Sequence, residues 1–261
     1  MQTESHRYLL KIQFLGFRYS GYQKQPGQRT IEAMLMKTLK FILPDQRFKI
    51  LGAGRTDAKV SALDYGFELS LVAGTIKNLS EFLSLFNRNL PADIRAVDIV
   101  PISGVFNIIQ NSKVKEYVYL FSFGEKNHPF CAPFMANILD VLDVSAMQEA
   151  ARLFEGTHDF ATYTARLRQN AKSVRQVVSC EIVENNLLKA NFFPEESFAL
   201  HIKADGFMRY QVRMIMGALI QLGRGELDIN DIRASLEENN AIQLTYVAPG
   251  SGLLLNNLEF E

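Results

Sequence analysis

Residues 48 to 60 read Phe48-Lys49-Ile50-Leu51-Gly52-Ala53-Gly54-Arg55-Thr56-Asp57-Ala58-Lys59-Val60. The first four residues predict a short β-strand. Two glycines then follow where a chain leaving a sheet turns sharply, and glycine adopts positive φ at little cost. The pattern predicts a strand followed by a tight loop that presents Arg55 and Asp57 from a rigid scaffold.

Arg55 and Asp57 also have an ordinary interpretation. An arginine and an aspartate two residues apart commonly form a surface ion pair or an aspartate-capped turn, and such a pair contributes roughly 0–1 kcal/mol. Taken alone, the loop is more typical of that turn than of a catalytic site. The rest of the sequence has to decide between the two interpretations.

Hydrophobic periodicity on both sides of the loop predicts a βαββαβ order in the first half of the chain. A helix beginning after Thr30 has apolar residues at helical spacing as far as Ile42. A second helix is expected at 79–86. The strands are expected at 8–14, 48–51, 65–72 and 94–100.

The second half of the sequence repeats this order. A helix is expected to begin at the capping box Ser145-x-x-Gln148 and to end before Gly156. Further helices are expected at 210–222 and 230–237, and strands at 117–123, 174–183, 197–204 and 253–260. The predicted fold class is α+β, with two ferredoxin-like (RRM-like) halves, antiparallel sheets and an active-site cleft between the halves. We expect an N-terminal half at 1–105 and a C-terminal half at 106–261.

Composition excludes several classes of protein. The chain has 261 residues, of which 48% are hydrophobic, and this is enough for a substantial core. No run approaches the roughly 18 apolar residues of a membrane helix, and the N-terminus has no apolar signal core, so we expect a cytoplasmic protein without membrane contact. Cys131 and Cys180 lie far apart, without histidines at zinc-ligand spacing, so we expect two buried thiols and no metal.

The charge pattern allows an RNA partner without demanding one. Lys and Arg total 28, as do Asp and Glu, and this balance argues against indiscriminate binding of polyanions. Sheets of the predicted type present aromatic and basic groups to unstacked RNA bases, although they also bind metals, small ligands and proteins. Residues 164–175 contain no acidic residue and four basic ones, Arg166, Arg168, Lys172 and Arg175. This stretch is equally consistent with a basic face and with an ordinary solvated loop.

Seven short blocks of the sequence resemble, in order and spacing, those of the TruA-type tRNA pseudouridine synthases. The blocks extend over nearly the whole chain. No single block is very specific, whereas seven in the right order are hard to obtain by chance. They are GYQKQP (21–26), GRTDA (54–58), NLPADI (89–94), KEYVY (115–119), GTHDF (156–160), FMxxQVR (207–213) and APxxGL (248–253).

This resemblance implies roles for individual residues. Asp57 is the implied catalytic residue, and Arg55 is implied to fill the gap left when the target base leaves its stack. Tyr117 is implied to contact the base, and Arg213 to reach the catalytic aspartate. From pattern alone, Tyr117 is more typical of a strand's core face and Arg213 of a helix surface. Possible RNA contacts are Lys24, Arg166, Arg168 and Lys172.

The activity implied by the resemblance is isomerisation of uridine to pseudouridine in tRNA, at positions 38 to 40 of the anticodon stem-loop, by a homodimer. No cofactor or metal is needed. A single carboxylate can attack C1′ as a nucleophile or act as a base on the ribose, and both routes stay open.

Two other functions are considered beside this one. The main alternative is a diverged, non-catalytic tRNA- or RNA-binding protein on the same fold. An aspartate-dependent nucleoside hydrolase would need a second carboxylate. However, Asp64 and Asp205 are more typical of turn residues.

The sequence departs from the resembled family near the loop. Lys59 and Ser61 stand where the family usually has glycine and histidine. If that glycine uses positive φ, Lys59 carries a strain of about 1 kcal/mol or forces a different turn. Ile108 and Ile109 lie in a segment where the family usually has a small residue and an arginine. We therefore expect a changed RNA preference more than a lost activity.

Overall fold

The computed structural model describes residues 6–72, 74–165, 172–238, 242, 244 and 246–261. These residues form helices and strands in a mixed arrangement, so the predicted α+β class is confirmed. The strands are β1 (His6–Phe14), β2 (Phe48–Gly52), β3 (Ser61–Leu71), β4 (Ile94–Pro101), β5 (Ser112–Phe123), β6 (Ala136–Ile138), β7 (Gly156–Asp159), β8 (Val174–Glu184), β9 (Phe198–Ala204) and β10 (Leu253–Phe260). The helices are α1 (Ile31–Ile42), α2 (Leu79–Asn89), α3 (Val144–Ala151), α4 (Gln211–Gly223) and α5 (Ile229–Ser235).

Side-chain caps determine where the first two helices begin. The Thr30 hydroxyl accepts a 3.3 Å hydrogen bond from the backbone N–H of Ala33, and α1 begins at Ile31, directly after Thr30. The Asn78 side chain caps α2 in the same way. Each cap accepts one of the N–H groups that a helix start leaves without an intrahelical partner.

The chain divides into two compact units, of which the first comprises the described residues of Met1–Lys113 and Leu255–Glu261. Its central strand β1 pairs antiparallel with β3 on one side and with β4 on the other. Strand β2 also pairs antiparallel with β3, and β10 lies beside β3. Leu10 and Phe67 face each other across the β1–β3 register and are fully buried, so this register positions the core.

The second unit comprises the described residues of Val114–Leu254. Strand β9 pairs antiparallel with β5 and β8, and β7 extends the sheet beyond β8. Helix α3 packs on β8 and on α4, which is buried along most of its length. Cys131 and Cys180 are buried free thiols, as predicted, and burial raises the pKa of both.

Several local predictions were wrong. Helix α3 is capped by the Asp143 carboxylate, which accepts from the N–H of Ala146, and the Ser145 capping box does not form its start. The helix ends at Ala151, and Gly156, with φ of +102°, opens strand β7. Strands β6 and β7 were not predicted. Asp64 lies within β3 and not in a turn.

Among the described residues, no helix is both long and apolar enough to cross a membrane.

Candidate active site

The loop that carries Asp57 connects β2 to β3, two strands that pair antiparallel. The N–H of Ala53 donates to the Gly66 carbonyl at 3.0 Å and continues the ladder into the loop. The Tyr65 hydroxyl donates to the Gly54 carbonyl at 2.6 Å. The start of the loop is therefore tied to the strand that follows it.

The segment before α1 holds the other side of this loop. The N–H of Tyr22 donates to the Thr56 carbonyl at 3.1 Å, and the N–H of Lys59 donates to the Tyr19 carbonyl at 3.0 Å. Gly21 has φ of +100°, and a Cβ there would lie 2.6 Å from the Thr56 oxygen. Only glycine combines that φ with so close an approach. Two of the sequence blocks thus meet in one site.

Asp57 is half-buried in this loop, whereas Arg55 is exposed. The Asp57 carbonyl accepts from the N–H of Val60 at 3.3 Å and closes a turn. Within that turn Lys59 adopts φ of +67°. Of the two possibilities for this position, strain at Lys59 or a different turn, the structure shows the first: Lys59 adopts the left-handed conformation and carries its strain.

Ser61, the second departure beside the loop, has a local structural role. Its hydroxyl accepts a 2.9 Å hydrogen bond from the N–H of Gly16. Gly16 packs directly against the loop, because a Cβ there would lie 1.8 Å from the Val60 carbonyl oxygen. The end of the loop is therefore anchored as well.

A third anchor, which sequence reasoning did not identify, is Asp93. Its carboxylate accepts a 2.6 Å hydrogen bond from the Tyr19 hydroxyl and a 2.7 Å bond from Arg18. Burial alone would raise the pKa of Asp93, but the hydrogen bonds from Tyr19 and Arg18 outweigh burial and lower it. Tyr19 also accepts the Lys59 N–H through its carbonyl, so Asp93 supports the loop indirectly. No pattern in the sequence links Asp93 to Tyr19.

Tyr117 belongs to the second unit, on β5, where it pairs with Ile202 of β9. Its side chain is half-buried, and its ring meets Phe207 edge to face at 5.3 Å between centroids. Tyr119, two residues on, is fully buried, and burial raises its pKa well above the usual value. The core role that the strand pattern favours is therefore found for Tyr119, whereas Tyr117 is only half-buried.

Arg213 lies in the first turn of α4 and is half-buried. Its Nε donates a 2.7 Å hydrogen bond to the Ala248 carbonyl, and its own carbonyl accepts from the Ala248 N–H at 3.1 Å. The next carbonyl, that of Pro249, accepts from the Tyr119 hydroxyl at 2.8 Å. Arg213 is therefore fixed to the APxxGL block and is not a freely solvated surface arginine.

The remaining candidates differ in what the structure shows. Lys24 and Lys172 are exposed, as an RNA contact requires. Arg166 and Arg168 lie outside the described residues. Ile108 is fully buried, whereas Ile109 is 52% exposed at the position where the resembled family usually has an arginine.

The other carboxylates and the histidines do not form a metal site within the described ranges. Asp64 accepts two 2.8 Å hydrogen bonds from Lys11, and Asp205 is exposed just after β9. In that part of the chain, no group of three or more His, Cys, Asp or Glu residues is arranged to hold a metal ion. The chemistry available at the Asp57 loop is that of one positioned carboxylate, which can act as a nucleophile or as a base.

Comparison with known proteins gives a family match in the C-terminal part of the chain and relatives that match nearly all of it. The sequence model of a family described as tRNA pseudouridine synthase matches residues 150–261. The tRNA pseudouridine synthase A 2 of Bacillus cereus (strain ATCC 10987 / NRS 248) is 31% identical over 260 residues, which cover 98% of this chain and 100% of the relative.

Two further relatives come from other genera. The tRNA pseudouridine synthase A of Thermodesulfovibrio yellowstonii is 31% identical over 255 residues, covering 95% of this chain and 97% of the relative. The protein of the same name from Dictyoglomus thermophilum is 28% identical over 253 residues, covering 96% and 98%. The similarity extends across both compact units.

Proposed function

The chain belongs to the tRNA pseudouridine synthase family, and we propose that it isomerises uridine to pseudouridine in tRNA. The observation that carries the proposal is the end-to-end similarity to relatives of that name. The anchored loop supports it, because hydrogen bonds from the Tyr22 N–H to Thr56 and from the Lys59 N–H to Tyr19 enclose Asp57 on both sides.

The reaction conserves every atom of the substrate. The N1–C1′ bond breaks, the base turns, and a C5–C1′ bond forms; C5 then loses its proton and N1 gains one. Asp57 either attacks C1′ and is later displaced, or removes a ribose proton that is returned when the base rejoins. Either route uses one carboxylate and consumes no oxidant or co-reactant.

We assign the other site residues by the same proposal. Tyr117 offers a half-buried ring for contact with the target base. Arg213 supplies a guanidinium that favours the ionised form of the catalytic carboxylate. Arg55, which is exposed, occupies the space left by the extruded base. Lys24, Lys172, Arg166 and Arg168 are the proposed contacts to the RNA backbone.

The finer features of the proposal follow the family resemblance. The target is a uridine at positions 38 to 40 of the anticodon stem-loop, the active form is a homodimer, and the protein acts in the cytoplasm. Two ferredoxin-like halves, 1–105 and 106–261, remain part of the proposal. The antiparallel pairing of β1 with β3 and β4, and of β3 with β2, supports it for the first half.

The experiment compares wild type with Asp57→Asn on unmodified tRNA and maps pseudouridine by carbodiimide primer extension. We expect product from wild type and none from Asp57→Asn, a substitution that nearly conserves shape. Asp205→Asn, which alters an exposed carboxylate, serves as the matched control and should keep full activity. Equal product from wild type and Asp57→Asn would refute the assignment. Tight tRNA binding without any product from wild type would favour the non-catalytic RNA-binding alternative.

A further inference from the structure

Tyr210 stands directly before α4 with φ of +65° and ψ of 2°, in the left-handed region. Among the described residues, Lys59 is the only other non-glycine residue with positive φ. This conformation is unfavourable for an L-residue, and it is uncommon for a bulky one. Local backbone geometry at this position favours glycine or asparagine.

Tyr210 is also an unfavourable cap for the helix. Asn, Asp, Ser and Thr are preferred at this position because their side chains accept a hydrogen bond from the first turn. Tyr210 makes no such bond. Asparagine tolerates the left-handed conformation better than tyrosine does, whereas tyrosine supplies an aromatic ring that asparagine lacks.

The ring of Tyr210 lies close to two guanidinium groups. The Cζ atom of Arg213 is 4.9 Å from the ring centroid, and the Cζ atom of Arg209 is 5.0 Å from it. Both distances lie within the range of cation–π attraction. A single strained residue thus contacts the side chains of two arginines on either side of it in sequence.

For Arg213 the ring is a second restraint. The Nε bond to the Ala248 carbonyl fixes one edge of the guanidinium at 2.7 Å, and the Tyr210 ring contacts the guanidinium, with 4.9 Å between Cζ and the ring centroid. A guanidinium held by a hydrogen bond and by an aromatic ring has less rotational freedom than a solvated one. Its hydrogen-bonding direction is therefore restricted before substrate binds.

Arg209 has a different environment. It is exposed, and among the described residues its guanidinium has no hydrogen-bond or ion-pair partner. Its carbonyl accepts bonds from the Thr164 hydroxyl at 3.1 Å and from the Ala165 N–H at 3.3 Å. These two residues directly precede the basic stretch that begins at Arg166. An exposed arginine held against an aromatic ring suits a phosphate group of RNA.

We propose that Tyr210 is a positioning residue: its ring orients Arg213 for the reaction and directs Arg209 toward the phosphate backbone of the RNA. The unfavourable backbone conformation is retained because only an aromatic side chain at this point contacts both arginines. The inference rests on the proposed function, since it assigns Tyr210 to the site in which Arg213 acts.

The test compares Tyr210→Asn and Tyr210→Gly, which remove the ring and relieve the backbone, with Tyr210→Phe, which keeps the ring. We expect both ring-free variants to melt no lower than wild type while kcat on tRNA falls roughly fivefold to tenfold. Tyr210→Phe should stay within about twofold of wild type. Arg209→Gln should raise KM and lower the slope of log affinity against log salt by about one.

Three results would overturn the inference. They are wild-type kcat in Tyr210→Asn, an equal loss in Tyr210→Phe, or a clear drop in melting temperature in both ring-free variants. A wild-type protein that makes no pseudouridine would instead refute the proposed function. The tRNA affinities of the variants would then test whether the Tyr210 ring has a positioning role. Weaker binding by Tyr210→Asn but not by Tyr210→Phe supports the positioning role, and equal affinity of all three proteins contradicts it.

Discussion

The hydroxyl of Tyr65 donates a 2.6 Å hydrogen bond to the carbonyl of Gly54, three residues before Asp57. Tyr65 is fully buried, and its ring centroid lies 4.5 Å from that of Tyr22. Gly52 allows this arrangement, because a Cβ there would lie 2.2 Å from the Tyr65 hydroxyl. A core residue of β3 therefore holds the start of the Asp57 loop.

Tyr65→Phe removes this bond while conserving the packing of the ring. We expect the free energy of unfolding to fall by about 1 kcal/mol, because the partly exposed Gly54 carbonyl can recover a bond to water. Because the loop loses an anchor near Asp57, kcat should fall more than tRNA affinity does. Urea denaturation and single-turnover kinetics measure the two effects. An unchanged kcat would show that the other anchors are enough to hold the loop.

Lys59→Gly should stabilise the protein. The left-handed conformation at φ of +67° costs an L-residue about 1–2 kcal/mol, part of which is offset by the greater freedom of glycine in the unfolded chain. We expect a net gain of up to about 1 kcal/mol in urea denaturation. Lys59→Ala is the matched control, since alanine keeps the strain and should give no gain. If Lys59→Ala gave an equal gain in stability, the cause would be loss of the lysine side chain and not relief of backbone strain. The Nζ of that side chain lies 5.6 Å from the centroid of the Phe17 ring.

Local signals predicted the elements that local interactions determine. The Thr30 cap and the spacing of Leu35 and Leu39 are contained in one short segment, and α1 begins where they indicate. The sequence blocks likewise pointed to the Asp57 loop and to the segment before α1, although the contact between Gly21 and Thr56 that joins them is visible only in the structure.

The predictions that were wrong depended on distant residues. Asp143 and Ser145 are both good caps, and the N–H of Asp143 donates to the Gly223 carbonyl at 2.9 Å, a contact with the end of α4 that fixes the start of α3. Strand β6 has three residues and exists through its pairing with β5. The positive φ of Tyr210 could not be predicted from its residue type, because tyrosine rarely adopts a positive φ.

Acid should weaken the first unit through the pair of Arg7 and Glu68. Arg7 donates to both oxygens of Glu68, at 2.8 and 2.6 Å, and this pairing lowers the pKa of Glu68. A lowered carboxyl pKa stabilises the folded state above the unfolded value of about 4.3, and the contribution is lost as pH falls through the folded value. We therefore expect Glu68→Gln to cost about 1–2 kcal/mol at pH 7 and progressively less below about pH 4.

The measurement is a double-mutant cycle of Arg7→Gln and Glu68→Gln, followed by urea denaturation between pH 3 and pH 7. The coupling energy between the two side chains should be present at neutral pH and vanish in acid. A coupling energy that is the same at both ends of the range would mean that ionisation of Glu68 does not contribute.

Arg55→Ala tests whether Arg55 fills the space left by the target base. Extruding a paired base costs a few kcal/mol, and this cost is smallest when the base is already mispaired. We therefore expect Arg55→Ala to slow product formation strongly on a tRNA stem with a paired target uridine, and much less on the same stem with that uridine mispaired. Lys24→Ala removes an exposed charge away from this role, so it should weaken binding equally on both substrates. If Arg55→Ala showed the same loss on paired and mispaired targets, Arg55 would be contributing charge to RNA binding, as Lys24 does, and not replacing the base.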